Sequence, residues 1–311
     1  MRIIFVPQYP TPMRYSEWWI WKLPEEFKKA GHEVIVLGKD YAKMMEHRRG
    51  GLDMFSPINM AIELETEQIR EYMMLDLTDD DVLFLADLSF SGFFCNALFH
   101  KQPKKKFAFC HATSLNKFDY FEGVFKTKFP VEAAHAQMFD KIFVGSRYHA
   151  QKLLWYNTEI TYLPFPPFKP SVIQDKTYKI MSASRPTTQK VNEYLEKEIS
   201  KIFGPIHRPI SRTWKEYFDN LASSQILLVT AFEDTFGYQI VDAVMNGCIP
   251  LARNGLAYVE LLPGEYLYND KDELLIKIHK VLNDELPVPK LLCEEQMKNF
   301  YRKIIEEMEQ G

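Results

Sequence analysis

The sequence predicts an α/β fold built from two domains, each with a parallel sheet covered by helices. Two observations support this fold class. Short apolar runs alternate with amphipathic helical segments along the 311 residues, and such alternation is typical of parallel sheets with helices on both faces. A proline-rich segment, residues 164–170, interrupts the alternation. Its four prolines fit neither a helix nor a central strand, so we interpret it as a stiff linker.

The elements before the linker begin with a short apolar strand at residues 3–6. A helix from about residue 16, kinked near Pro24, is predicted to end at Gly31 and to lead into a second strand at 33–37. Further runs predict strands at 82–86, 107–110, 141–144 and 159–163 and a helix at 147–155.

A second alternating set follows the linker. Its strands are predicted at 178–183, 225–230, 248–252 and 265–268, and its helices near 189–203, 212–223, 236–246, 256–262 and 270–282. A final amphipathic helix is predicted from about 289 to 310. Two such domains leave a cleft where the carboxyl ends of their strands meet, and ligands of α/β proteins bind at such edges.

Composition and charge narrow the possible functions. The chain is 46% hydrophobic and 26% charged with a net charge of −4, so it is not polybasic as a whole. Residues 100–152 nevertheless carry ten Lys and Arg against four acids, an excess of six that can steer an anionic ligand. The four cysteines are scattered without metal-binding spacing. No leader and no apolar run of about 20 residues is evident, so we expect a cytoplasmic protein that does not enter the membrane.

Arg185 and Lys190 form the first motif with chemical content. They lie five residues apart, after the strand that opens the second domain. Arg185 can form a bidentate contact with phosphate oxygens, Lys190 can add a point charge, and the next helix can add backbone N–H groups. The alternative is an ordinary solvated loop with two surface cations.

The second motif runs from Glu233 to Pro250. Asp234 stands before Phe236 and Gly237, where a strand gives way to a helix, and Asp242 follows inside that helix. An acid at a helix start also suits the helix dipole, which is the structural interpretation of Asp234. Asp242 lies between apolar residues, where a carboxylate is costly without a partner. A ribose diol can be that partner, because a carboxylate accepts hydrogen bonds from hydroxyls.

Together the two motifs resemble the donor-binding half of GT-B glycosyltransferases of the family-four kind. The resemblance rests on Arg185 and Lys190, on two acids separated by seven residues around Phe236-Gly237, and on the Gly247–Pro250 strand start. It implies a GT-B fold with two Rossmann-like domains, 1–166 for the acceptor and 167–290 for the donor, and a C-terminal helix, 291–311, that crosses back. The family usually has Glu at both acidic positions, and its Gly-Gly loop after the first strand is replaced here by residues 7–14.

The resemblance also implies roles for these residues. The donor would be a nucleotide-diphosphate sugar, UDP-linked, that acts as a co-substrate without a separate cofactor. Arg185 and Lys190 would hold the diphosphate, Asp234 the transferred sugar and Asp242 the ribose, with Phe236 and Gly237 shaping the turn between them. Transfer, hexosyl or pentosyl, would need no metal, because the two cations can balance the leaving diphosphate.

Candidate catalytic residues follow the strands of the first domain. His111 follows the strand at 107–110, Asp87 follows the strand at 82–86, and Asp119 lies in the loop after His111. In the family a His or acid at the first position touches the acceptor or the sugar, and either carboxylate could accept a proton. A structural histidine is the alternative. The acids at 79–81 precede their strand and predict a solvated turn rather than a metal site.

Basic and aromatic residues are interleaved on the acceptor side, where we expect contacts from Arg14, Lys104, Lys117 and Tyr120. Positive charge with aromatics suits a nucleic acid whose base is flipped out of the stack. We therefore expect double-stranded DNA as the acceptor, as in phage enzymes that glycosylate hydroxymethylated bases. Alternatives are a saccharide or small-molecule acceptor, a sugar-nucleotide epimerase, and a non-catalytic nucleotide-sugar-binding module. The sequence gives no oligomeric state.

Overall fold

The predicted α/β fold with two parallel sheets is confirmed. The computed structural model describes residues 1–39, 57–88, 101–117, 125–153, 157–169, 175–183 and 190–310. The strands within these ranges are β1 Arg2–Val6, β2 Glu33–Val36, β3 Asp81–Leu85, β4 Lys105–Cys110, β5 Lys141–Val144, β6 Thr158–Ile160, β7 Tyr178–Met181, β8 Ser224–Val229, β9 Ile249–Arg253 and β10 Leu267–Tyr268.

The helices connect and cover these strands. Along the described chain they are α1 Tyr15–Lys29, α2 Pro57–Met73, α3 Phe125–Ala136, α4 Arg147–Leu153, α5 Glu193–Phe203, α6 Trp214–Ala222, α7 Tyr238–Met245, α8 Tyr258–Leu261, α9 Lys271–Leu282, α10 Glu294–Lys298 and α11 Phe300–Gln310. The α2 and α3 helices were not predicted. The single helix predicted for the tail is instead two helices, separated at Asn299.

The first sheet has the order β2-β1-β3-β4-β5-β6, and all of its pairings are parallel. The residues of β3 after its first are apolar, and the whole strand is buried. The polar exception is Asp81 at the start of β3. We predicted a solvated turn here, and this prediction is wrong for Asp81, which is buried and accepts two hydrogen bonds from the Arg2 guanidinium, at 2.6 and 2.7 Å.

The second sheet has the order β10-β9-β8-β7 and is also parallel. Three of the helices described in this domain begin with side-chain caps. Asn192 caps α5, Thr213 caps α6 and Asp270 caps α9, each by accepting a bond from a backbone N–H in the first turn. The caps fix where each helix starts relative to the strand before it.

The two halves of the chain share one continuous apolar core. Side chains of α1, β4 and β5 belong to the same buried cluster as side chains of β8, α7 and α11. The α11 helix lies against the first sheet, where Phe300 packs 5.6 Å from Trp19 and 6.1 Å from Phe109 between ring centres. Lys141 pairs with Glu307, and the Lys303 ammonium donates to the Ile160 carbonyl at 2.7 Å. The end of the described chain is thus fixed to the domain in which it begins.

A search of the described helices finds none with the length and apolar character needed to cross a bilayer.

Candidate functional site

Polar side chains leave three adjacent strands at the carboxyl edge of the first sheet. Val6 of β1 pairs with Leu85 of β3, so Gln8 and Asp87 both lie two residues beyond paired positions. The Gln8 amide donates to Asp87 Oδ2 at 2.6 Å, and the Asp87 side chain is buried. Parallel strands are about 4.8 Å apart, so side chains at matching positions beyond the edge meet. The edge therefore presents a buried carboxylate held by an amide.

His111 follows β4 on the same edge and lies inside an aromatic cluster. Its ring stacks on Tyr15 at 4.0 Å and packs against Trp19 at 4.7 Å and Phe109 at 4.4 Å. Burial, with the nearby His149 ring, lowers the pKa of His111 well below its usual range, so the ring is neutral. Its Nε2 atom is buried without a hydrogen-bond partner among the described residues. A neutral ring with a free nitrogen can accept a bond from a substrate hydroxyl.

The second domain completes this cluster. Tyr238, the first residue of α7, packs 6.4 Å from Tyr15 and 6.3 Å from Trp18, and its hydroxyl donates to the Pro164 carbonyl at 2.9 Å. The structure thus places the start of α7 opposite the carboxyl edge of the first sheet.

The turn before α7 brings together three of the predicted donor residues. Gly237 has φ of +96°, a left-handed conformation that favours glycine, and a Cβ there would lie 2.9 Å from the Tyr258 ring. Phe236 is buried beside it. Asp234 is half-buried and accepts a bond from the Tyr258 hydroxyl at 3.3 Å. The tight turn holds the Asp234 carboxylate at the mouth of the cleft.

Asp242 lies one turn into α7 and is 4% exposed. The Tyr217 hydroxyl donates to its Oδ2 at 3.0 Å, while Oδ1 is buried and has no partner among the described residues. Burial raises the pKa of Asp242 to about 7, against the opposing effect of the Tyr217 hydrogen bond. A buried carboxylate that is half satisfied is costly to the fold, and such groups cluster at functional sites.

Lys190 reaches the same loop from the start of the α5 segment. Its ammonium donates to the Glu233 carbonyl at 2.7 Å. Lys190 and Asp234 therefore converge on one loop, as a site for a charged ligand requires. Arg185, Asp119 and Tyr120 lie outside the described residues.

Glu233 connects the two domains. Its buried carboxylate accepts from the Lys152 ammonium at 2.5 Å, from the Tyr148 hydroxyl at 3.2 Å and from the Asn116 amide at 3.5 Å. All three partners belong to the first domain. The sequence analysis did not anticipate this role of Glu233.

Glu260 of α8 forms a second contact across the domain boundary. Its carboxylate accepts from the backbone N–H groups of Arg147 and Tyr148 at 2.9 and 2.8 Å, and from the Tyr162 hydroxyl at 2.8 Å. A carboxylate at these two N–H groups caps the start of α4, where the helix dipole favours negative charge. The second domain thus supplies the cap of a helix in the first.

The predicted acceptor residues are not all brought together. Lys117 is exposed in the loop after β4, on the cleft side, and Arg14 precedes α1. Lys104 precedes β4 and so lies at the amino edge of the sheet, where it pairs with Asp79 at 3.1 Å. The positive charge of residues 100–152 is therefore divided between two edges of the sheet and does not form one surface.

Comparisons with known proteins agree on the fold. No protein-family model matches the chain. Sucrose-phosphate synthase from Thermosynechococcus elongatus has a similar structure, with a TM-score of 0.66 and 14% identity over 100% of this chain and 98% of that one. HepE from Anabaena, solved with UDP and glucose, gives a TM-score of 0.67 at 12% identity over the whole of both chains. These likenesses show that the fold is GT-B.

A curated relative is similar to this chain over a short stretch. The tRNA-queuosine alpha-mannosyltransferase of Drosophila melanogaster is 37% identical over 65 residues. The stretch is 21% of this chain and 17% of that protein.

Proposed function

We propose that this chain is a glycosyltransferase that takes a sugar from a nucleotide-diphosphate donor, with UDP as the nucleotide. The observation that carries the proposal is Asp242, a buried carboxylate with one oxygen lacking a partner among the described residues, on the helix that faces the cleft. A ribose hydroxyl can donate to that oxygen and so offset the cost of burying the charge. The GT-B fold, and a neighbour of the same fold solved with UDP and glucose, support the proposal.

The donor occupies the second domain in this proposal. Arg185 and Lys190 hold the diphosphate, and Asp234 binds hydroxyls of the transferred sugar. In the structure the Lys190 ammonium donates to the Glu233 backbone carbonyl. When the nucleotide-sugar binds, the ammonium exchanges this carbonyl for a phosphate oxygen. A charge-assisted bond is stronger than one to a neutral carbonyl, so the exchange favours binding.

The acceptor hydroxyl enters from the carboxyl edge of the first sheet. Its oxygen bonds to the anomeric carbon of the sugar as the bond from that carbon to the diphosphate oxygen breaks. In a retaining transfer the departing phosphate takes the acceptor proton. Asp87, held by Gln8, is the carboxylate that would take it in an inverting transfer. His111 is neutral and accepts a hydroxyl proton in a hydrogen bond rather than removing it.

A hydroxymethylated base in DNA is the acceptor we propose. The aromatic cluster at the cleft suits a base turned out of its stack, and the exposed Lys117 in the loop after β4 can contact a DNA phosphate. The position of Lys104 away from the cleft removes one of the four expected contacts. A modified base in tRNA is the second candidate, which the sequence similarity to a tRNA-queuosine mannosyltransferase favours.

The test is a transfer assay read by mass spectrometry of the digested nucleosides. The donors are a panel of UDP- and GDP-sugars, and the acceptors are DNA with hydroxymethylcytosine, the same DNA with cytosine, and total tRNA. A hexose or pentose adduct on the hydroxymethylated base alone supports the DNA acceptor. An adduct on a tRNA nucleoside alone supports the second candidate and overturns the first.

Two variants connect the activity to the proposed site. Arg185→Ala and Asp242→Ala should each lower transfer at least tenfold, since each removes a charged contact worth about 1.5–3 kcal/mol. Asp272→Ala, an exposed acid in α9, is the matched control and should transfer normally. Binding of no nucleotide-sugar in a parallel titration would show that the glycosyltransferase proposal is wrong.

A further inference from the structure

The Tyr217 hydroxyl donates a hydrogen bond to the Asp242 carboxylate. The hydroxyl lies 3.0 Å from Oδ2, and the other oxygen, Oδ1, is buried without a partner in the described part of the chain. Sequence reasoning did not select Tyr217, which lies 25 positions before Asp242 on a different helix.

The contact makes the two carboxylate oxygens of Asp242 different, because one has a hydrogen-bond partner and the other has none among the described residues. Because Oδ2 already accepts from Tyr217, the plane of the carboxylate is fixed and Oδ1 points elsewhere. A carboxylate side chain without such a bond rotates freely about its last torsion, which is broad and roughly two-fold. The Tyr217 hydroxyl also stabilises the ionised form, against the burial that raises the pKa of Asp242.

Two aromatic rings pack against the Tyr217 ring. It packs edge to face on Trp214, with 6.0 Å between centres, and lies 5.5 Å from Phe218. Trp214 in turn stacks on Phe168 of the segment between the domains, at 4.8 Å. The phenol has little freedom to leave Asp242, so the geometry of the pair is built into the fold.

The helix that carries Tyr217 is anchored to the first domain. The Trp214 indole N–H donates to Glu17 Oε2 at 2.9 Å, and the same oxygen accepts from the Met13 backbone N–H at 2.8 Å. Glu17 belongs to α1 of the first domain and Trp214 begins α6 of the second. The anchor fixes the start of the helix that carries Tyr217 against the first domain.

We infer that Tyr217 is a positioning residue for the donor nucleoside: it holds one oxygen of Asp242 so that the other accepts a single ribose hydroxyl. The inference rests on the proposed function, because it needs a donor with a ribose. It makes the site selective for a nucleotide with that hydroxyl. Selectivity arises because a donor that lacks the hydroxyl leaves the buried Oδ1 unsatisfied.

The experiment is a calorimetric titration of the whole protein with UDP, 2′-deoxy-UDP and 3′-deoxy-UDP. Wild type should bind UDP at least tenfold more tightly than one of the two deoxy nucleotides. In Tyr217→Phe the affinity for UDP should fall roughly tenfold to 150-fold, the equivalent of losing a hydrogen bond to a charged group. The ratio of UDP to deoxy-UDP affinity should also shrink towards one, because a misaligned Asp242 carboxylate no longer accepts a hydrogen bond from that ribose hydroxyl.

Tyr266→Phe is the matched control. Its hydroxyl donates to the Pro287 carbonyl at 2.8 Å in the same domain, away from Asp242. This variant loses one tyrosine hydroxyl bond but should keep both the affinity and the ratio. Thermal melting of both variants shows whether each remains folded.

The outcomes separate the two proposals. A wild type that does not bind UDP overturns the proposed donor and this inference with it. A wild type that binds UDP, with an unchanged ratio in Tyr217→Phe, overturns only the role of Tyr217. Tighter UDP binding in Tyr217→Phe would also overturn it, since the hydroxyl would then compete with the ribose.

Discussion

At the scale of single residues, Asp242 is a charge that the fold holds at a cost. Its side chain is 4% exposed, and burial raises its pKa to about 7. In the unfolded chain the same carboxyl has its ordinary pKa near 3.8. Between these two values the folded protein holds a proton that the unfolded chain has released, so the free energy of unfolding falls as pH rises through this window.

Replacing Asp242 with Asn should therefore stabilise the protein and impair binding. At pH 5 the folded forms of both proteins carry a neutral group, and the wild type is destabilised only by the ionised carboxyl of its unfolded chain, so the two melting temperatures should differ less than at pH 8. At pH 8 the variant should melt roughly 3–6 °C higher, since a protein of this size shifts about 2–4 °C for each kcal/mol. Scanning calorimetry at the two pH values measures the difference.

UDP affinity of Asp242→Asn should fall at the same time, by at least tenfold at pH 8. A higher melting temperature together with a lower UDP affinity would identify Asp242 as a residue that serves binding rather than the stability of the fold. Asp284→Asn, at an exposed turn, is the control and should leave both quantities unchanged. A variant that melts below wild type at pH 8 would contradict the prediction.

Asp242 could be selected from the sequence as a candidate site residue, because a carboxylate inside an apolar helix has few ordinary explanations. Tyr217, Gln8 and Glu233 could not be found in this way. A tyrosine on an amphipathic helix or a glutamine in a loop is unremarkable until its partner is known. Those partners lie 25 residues away for Tyr217, 79 for Gln8 and up to 117 for Glu233. Contacts of that kind depend on tertiary packing alone.

At the scale of elements, the start of α7 is the most constrained turn of the site. Gly237 adopts φ of +96° with Tyr258 and Leu261 directly above it, and a Cβ would lie 2.9 and 3.3 Å from their side chains. Tyr258 also donates to Asp234. The helix start and the sugar-binding carboxylate of our proposal are thus fixed by the same turn.

Gly237→Ala should cost about 1–3 kcal/mol of unfolding free energy, because it combines a left-handed backbone with a collision against a buried ring. UDP-sugar affinity should fall as Tyr258 moves from Asp234. Denaturant unfolding measures the first effect and titration the second.

Gly264→Ala provides the comparison, since a Cβ there meets no atom within 4 Å. It should be neutral within about 0.5 kcal/mol. Equal unfolding midpoints for the two alanine variants would contradict the strain assigned to Gly237.

Strands were more predictable than helices. Each predicted strand lies within a few residues of an observed one, because buried parallel strands are continuous apolar runs bounded by polar residues. The α3 helix was missed because it contains Pro130 and its apolar residues do not follow one face. The break at Asn299 was missed because the amphipathic pattern continues across it.

At the scale of the whole molecule, two carboxylates of the second domain form hydrogen bonds with residues of the first domain. Glu233 accepts from Lys152 and Tyr148, and Glu260 caps α4. The sequence predicted two domains and a cleft between them, since each half has its own strand–helix alternation. It could not predict these contacts, because they depend on how the two halves of the chain are oriented relative to each other.

Lys152→Ala should weaken the contact between the domains. It leaves the Glu233 carboxylate buried without its cation, and breaking a buried pair in this way costs about 3–5 kcal/mol. We expect a lower unfolding midpoint and faster proteolytic cleavage within residues 161–169. Circular dichroism and timed proteolysis measure the two effects.

Lys215→Ala is the matched control for this change. Lys215 pairs with Asp219 on the exposed face of α6, and such surface pairs contribute less than about 1 kcal/mol. If both lysine variants were cleaved at the wild-type rate, the Lys152–Glu233 pair would not hold the domains together.

The return of α11 to the first sheet also sets how the domains can move. The backbone passes between the two domains twice, once before β7 and once before α11. A body attached at a single point can swivel in any direction, whereas one attached at two points turns about the line that joins them. The two chain connections therefore define an axis about which one domain can rotate relative to the other. We therefore expect the cleft to open and close about this line once the Glu233 and Glu260 contacts are released, because the covalent chain opposes twist and separation.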